Sequence, residues 1–102
     1  MSNEGDKKIR TGKIELLYGE IERLVYLQGE TTQMMFDRLM VLVNKTRALR
    51  SQEWGDDKVT RKMLRAYQAK NSILAVMIFD RVDFESLTPQ ALLSKLIHHE
   101  NN

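Results

Sequence analysis

Thr31-Thr32-Gln33-Met34-Met35-Phe36-Asp37-Arg38-Leu39-Met40-Val41-Leu42-Val43-Asn44-Lys45-Thr46-Arg47-Ala48-Leu49 decides the fold class. Met35, Leu39, Leu42, Val43, Thr46 and Leu49 return every three or four positions, which places them on one face of an α-helix. Thr31 stands just ahead of them, where its hydroxyl can accept from a first-turn N–H that the helix leaves unbonded. Gln28-Gly29 separates this helix from an earlier one over 12–27. The face of that leading helix carries Ile14, Leu17, Ile21, Leu24 and Val25, with Glu15, Glu20, Glu22 and Arg23 elsewhere. Residues 1–11 show no such stripe and are expected to form a flexible N-terminus.

Downstream, Ser51-Gln52-Glu53-Trp54-Gly55 reads as a loop, and Asp56 and Asp57 supply a cap and a first-turn negative charge for a third helix carrying Val59, Met63 and Tyr67. Asn71 or Ser72 then caps a short helix ending near Arg81, whose all-round apolarity predicts burial. An acidic loop through Asp83 and Glu85 follows. The last helix has the best start signal: Thr88 as cap, Pro89 at the first helical position, and Leu87 placed to staple against Leu92. Its inward face is Leu92, Leu93, Leu96 and Ile97. With one proline, five glycines and no pair of alternating segments, the chain is predicted to be all-α, a five-helix bundle.

A chain of 102 residues has room for one core, and without cysteine that core has no disulfide, thiolate zinc site or iron–sulfur ligand to lean on. Hydrophobic residues at 42% and charged ones at 29% suit a folded domain. The longest apolar run, Ile73 to Phe79, is far short of a membrane span, and Met1 to Lys8 has no apolar core of a secretory signal. These features predict a protein of the cytoplasm or nucleus with no membrane partner. The sequon Asn44-Lys45-Thr46 is then expected to be inert.

Catalysis needs groups that converge. His98-His99 are adjacent and point about 100° apart on a helix, so the expected role is a solvated helix end. Asp80, Asp83 and Glu85 lack the glycine and ligand periodicity of a calcium loop, and Gly12, Gly19, Gly29 and Gly55 are isolated, so no phosphate cradle forms. The expectation is a non-enzyme with no metal and no cofactor. One charged feature stands out: residues 56–70 hold five cations against two anions, a net +3, while 71–102 hold a net −2. Lys58, Arg61, Lys62 and Arg65 fall at i, i+3, i+4 and i+7, on one side of the third helix. That stripe is either a solvated face or a surface for the phosphates of RNA, with no stacking aromatics interleaved.

Leu27-Gln28-Gly29-Glu30-Thr31-Thr32-Gln33-Met34-Met35-Phe36-Asp37-Arg38-Leu39 resembles the major-homology-type motif of gag capsid proteins: Gln-Gly-Glu, a small hydroxyl residue, then an aromatic, and an Arg before an apolar residue. The wider frame looks like the capsid region of the gag polyprotein of copia-type LTR retrotransposons. An apolar helix like Ile14 to Tyr26 precedes the motif there, Met35 to Asn44 follows it, and Val59 to Arg65 and Leu87 to Leu93 match later helices. The likeness spans about Lys13 to Glu100. It departs where the family has Leu-Pro and this chain has Tyr67-Gln68-Ala69-Lys70, which predicts a third helix that runs on.

The resemblance implies a capsid C-terminal-lobe-like bundle of four helices over 28–100, preceded by one additional amphipathic helix. It implies that Gln28, Glu30 and Arg38 form a hydrogen-bonded network tying the turn at Gly29 to the helix, a structural role. It further implies a truncated or host-domesticated gag, without the zinc knuckle that needs cysteine and without most of the N-terminal lobe. The expected function is therefore structural self-association, with full-length gag or a host protein as further partners. Ile14, Leu17, Ile21, Leu24 and Val25, deprived of the lobe that would cover them, predict a homodimer by helix pairing or exchange. The alternative is a small helical module that binds nucleic acid through Lys58, Arg61, Lys62 and Arg65.

Overall fold

The computed structural model describes residues 4–81, 83 and 86–101, and among these it contains five α-helices and no strand. They are α1 (Glu4–Arg23), α2 (Thr32–Ala48), α3 (Asp56–Tyr67), α4 (Ser72–Arg81) and α5 (Pro89–Glu100). α2 lies at the centre, with α1, α3 and α5 packed on it; α3 also meets α5 and carries α4 on its other side. Met35, Leu39 and Val43 of α2, Val59 and Met63 of α3, and Leu92 and Leu96 of α5 are fully buried where these helices meet. Their three- and four-residue spacing is the physical cause of the bundle, because it gives each helix one apolar face that must find another.

Side-chain caps fix the helix starts. The Thr31 hydroxyl accepts from the Met34 N–H at 3.1 Å, and Thr88 does the same for Ala91 at 3.1 Å. Asn71 is the cap of α4, its Oδ1 accepting from the Leu74 N–H at 3.0 Å. α3 departs from expectation: Gly55 occupies the N-cap without a side-chain bond, and Asp56 and Asp57 both sit inside the first turn, where they meet the helix dipole. The end of α2 closes through a Schellman turn, with the Ser51 N–H on the Thr46 carbonyl at 3.0 Å and the Arg50 N–H on that of Arg47 at 2.9 Å. Arg50 takes the left-handed conformation this turn demands, with φ at 66°, a position that favours glycine.

Three expectations need correction. α1 begins at Glu4, so the residues just before Gly12 are helical, and it ends at Arg23 instead of Leu27. α3 stops at Tyr67: the Lys70 and Asn71 N–H groups both turn back onto the Tyr67 carbonyl, at 2.9 and 3.0 Å. The loop expected over 51–55 is present, and within it Trp54 is a core residue at 3% exposure whose carbonyl accepts from Arg47 Nη2 at 3.0 Å. α4 is not buried. Only Ala75 and Ile78 are covered, while Ile73, Val76 and Met77 are 74%, 48% and 43% exposed. Among the described helices α3 is the main neighbour of α4, so apolarity alone could not bury it.

The result is an elongated molecule of 57 × 30 × 16 Å, with a radius of gyration of 15.4 Å against about 13 Å for a compact domain of this length. The first half of α1, from Gly5 to Lys13, is exposed on all sides and projects from the bundle.

Candidate functional site

The turn between α1 and α2 is built as a clasp. Gly29, at φ 80°, supplies the left-handed step that lets the chain reverse. Glu30 then folds its carboxylate back under the turn. Its Oε1 accepts from the Leu27 N–H at 3.0 Å and from Arg38 Nη2 at 2.8 Å, and its Oε2 accepts from Arg38 Nε at 2.5 Å. Arg38 Nη2 reaches on to the Val25 carbonyl at 2.7 Å. One guanidinium on α2 thereby holds both the turn and the chain leaving α1, and the planar fork is what makes the two-point grip possible. The bond from Arg38 holds the Glu30 carboxyl below its ordinary range, against the opposing effect of burial, and the same pair raises Arg38. Gln28, assigned to this network by the resemblance, stands exposed with no side-chain hydrogen bond among the described residues, because the turn points it outward.

A second polar cluster ties the far end of the chain to the same region. Glu100 Oε1, on the last turn of α5, accepts from the Thr32 hydroxyl, from Tyr67 Oη at 3.0 Å and from Lys70 Nζ at 3.1 Å. Tyr26 closes the ring: its hydroxyl lies 2.9 Å from Thr32 Oγ1, accepts from Lys70 Nζ at 3.1 Å, and its ring meets that of Tyr67 edge-on at 6.1 Å. Burial pushes the Glu100 carboxyl up, but the bonds from Thr32, Lys70 and Tyr67 outweigh it and hold it below the usual range. Burial, helped by the bond to Glu100, pushes the Tyr67 phenol up to about 12, so it remains a donor throughout the neutral range. The one available signal was a broken rule: a glutamate in the last turn of a helix opposes the dipole and needs partners elsewhere.

The basic face of α3 is divided. Lys62 is 6% exposed, and its Nζ donates to the Glu22 carbonyl at 2.7 Å, capping the end of α1 with a positive charge. Burial, with the Arg65 charge second, lowers its pKa. Lys58 pairs with Glu53 at 2.6 Å and lies over the Trp54 ring, 4.7 Å from its centroid. Arg61 and Arg65 are exposed. The four cations expected to share one solvated stripe therefore do three different jobs, and Lys62 is not available to a phosphate.

The α1 stripe is divided as well. Ile21 and Leu24 are core residues of their own chain, at 0% and 5% exposure; Ile14 and Leu17 are half-buried, and Val25 is 57% exposed. The leading helix folds back on its own bundle over its second half, which removes Ile21 and Leu24 from any partner surface. Tyr18 pins that half down by a hydrogen bond to the Ser51 hydroxyl. Where α1 diverges from α2, Lys13, Leu16, Leu17, Lys45, Ala48 and Leu49 line an open apolar groove of about 410 Å³.

No family model, curated protein or solved structure matches the chain.

Among the described residues no three side chains of His, Asp or Glu converge as a metal set, and no helix is long and apolar enough to cross a membrane. His98 and His99 hold their rings 6.0 Å apart at the exposed end of α5. Asp83 is exposed, and Glu85, the third acid of the expected loop, lies outside the described residues. Among the described residues the exposed large apolar side chains include Ile9, Val25, Leu27, Met34, Val41 and Phe79, and two apolar surfaces group others: the α1–α2 groove with Leu16, and the outer face of α4 with Ile73, Val76 and Met77.

Proposed function

We propose that the chain is a structural self-association module of the gag-capsid type that the Gln28 to Leu39 segment resembles. The observation that carries this reading is the apolar surface left uncovered on a chain that is otherwise well packed. A compact monomer of this mass exposes roughly 5,900 Å². This chain exposes 6811 Å²; part of the excess is the first half of α1, which stands clear of the bundle, and its apolar share includes Leu16, Ile73 and Val76, at 70%, 74% and 48% exposure. Each large side chain moved from water into a contact contributes about 1.5–3 kcal/mol. Immobilising a partner costs about 4–15 kcal/mol, so a few such residues support reversible assembly that depends on concentration. The Glu30–Arg38 clasp supports the capsid-type reading, because it holds the turn by the glutamate and arginine that the resemblance singles out.

Light scattering behind a sizing column, run across concentration with and without RNA, tests the proposal. The expected result is a mass that rises above the 11.9 kDa of one chain without RNA and persists in high salt. Assembly that requires RNA and dissolves in salt would transfer the function to the exposed arginines of α3.

A further inference from the structure

The two apolar surfaces differ in shape and charge. On α4, Ile73, Val76, Met77 and Asp80 fall at i, i+3, i+4 and i+7, opposite the buried Ala75 and Ile78, and all four are exposed. This is a ridge of three apolar side chains ending in one carboxylate. The open groove between α1 and α2 is lined by Leu16, Leu17, Ala48 and Leu49 together with the cations Lys13 and Lys45. Among the described residues Lys13, Lys45 and Asp80 form no ion pair within the chain. The ridge sits on a helix that packs on α3, and the groove lies where α1 packs on α2. One molecule therefore carries both halves at separate places.

Resting on the self-association reading above, we propose that copies of this chain associate head to tail, the α4 ridge of one molecule seating in the α1–α2 groove of the next. Met77 and Ile73 meet its leucines, and Asp80 meets its lysines. Two features select a second copy as the occupant. The ridge stands out from α4, and the groove is an open trough between α1 and α2. Their charges are opposite, whereas a ridge-to-ridge pair would bring Asp80 toward its own twin and a groove-to-groove pair would bring four lysines together. Because the joined surfaces are different, each added copy leaves a free ridge at one end and a free groove at the other. Growth continues until the rotation between copies closes a ring or an open filament forms.

The test uses two variants of the full chain, Leu16→Glu in the groove and Met77→Glu on the ridge. Both positions are exposed, at 70% and 43%, so the bundle tolerates the change, and helicity and melting temperature check this. Each variant alone is expected to remain monomeric, its dissociation constant raised more than about thirtyfold. Mixed one to one, each supplies the surface the other lacks, and the mixture is expected to form a dimer that stops at twice the chain mass. Asp80→Lys, which turns the attraction to Lys13 and Lys45 into repulsion without touching the apolar side chains, weakens assembly about tenfold. If the wild type assembles but either variant alone pairs as tightly as the wild type, the contact is between like surfaces, and the head-to-tail arrangement is wrong while self-association stands. If the wild type is monomeric at every concentration, both fall.

Discussion

α2 and α4 are both rich in large apolar side chains, yet the bundle treats them in opposite ways. α2 confines its buried side chains to a stripe and puts Gln33, Asp37, Asn44 and Lys45 on the outside; three other helices pack on it. α4 is apolar on both faces, and one face is left in water. The difference teaches that a helical stripe with a polar back reports its own burial, whereas an all-round apolar helix reports only a demand for cover. Whether the demand is met inside the chain depends on how many neighbours the fold supplies. Here, among the described helices, α3 is the main neighbour of α4, and the face of Ile73, Val76 and Met77 stays exposed.

This contrast can be broken by mutation. Leu39→Ala on α2, at a fully buried position, should destabilise the fold by about 2–5 kcal/mol, whereas Val76→Ala on α4 should stay within about 0.5 kcal/mol. Denaturant melts of the two variants at low concentration check it; equal losses would mean that α4 is covered in the monomer. Next in size is Arg38→Ala. It leaves the Glu30 carboxylate, 5% exposed, with a single backbone donor, and should cost about 2–3 kcal/mol, less than for a fully buried pair because the Arg38 side chain is 38% exposed. If Arg38→Ala melts like the wild type, the clasp is ornamental.

Much of α2, α3 and α5 was legible because their signals are local: Thr31 and Thr88 cap within three residues, and Pro89 marks its helix start. The Glu30–Arg38 pair was legible only through the resemblance. The Glu100 cluster was not, since it joins residues 68 positions apart, Thr32 and Glu100, and no periodicity encodes such a meeting. Lys62 was misread for a related reason. A lysine stem is long enough to cross an apolar face and deliver its amine to a carbonyl on another helix, so its place on a basic stripe says little about where its charge goes.

Two smaller predictions sharpen the contrast between the clasped and the open sides of the molecule. Glu30 and Glu100 both have folded-state pKa values below their ordinary 4.5, so their stabilisation is complete above that value and is lost as pH falls through the folded values. Denaturation midpoints should therefore drop from about pH 5 downward, and Glu100→Gln should flatten the drop while lowering stability at pH 7. A midpoint that rises on acidification would reverse the sign and contradict the assignment. Smallest of all, Arg50→Gly should stabilise the chain by about 0.5–1 kcal/mol, because φ of 66° suits glycine and strains arginine. A thermal melt detects this as a rise of a few degrees.

If copies of the chain meet at the apolar surfaces left open by the bundle, those surfaces should respond to dilution. Amide chemical shifts followed on dilution from about 1 mM test it residue by residue. Concentration-dependent shifts are expected at Ile73, Val76 and Met77 of α4 and at Leu16, Leu17 and Leu49 around the groove, with the core of α2 unmoved. Shifts confined to the Arg61 and Arg65 face of α3, or none at any concentration, would contradict it.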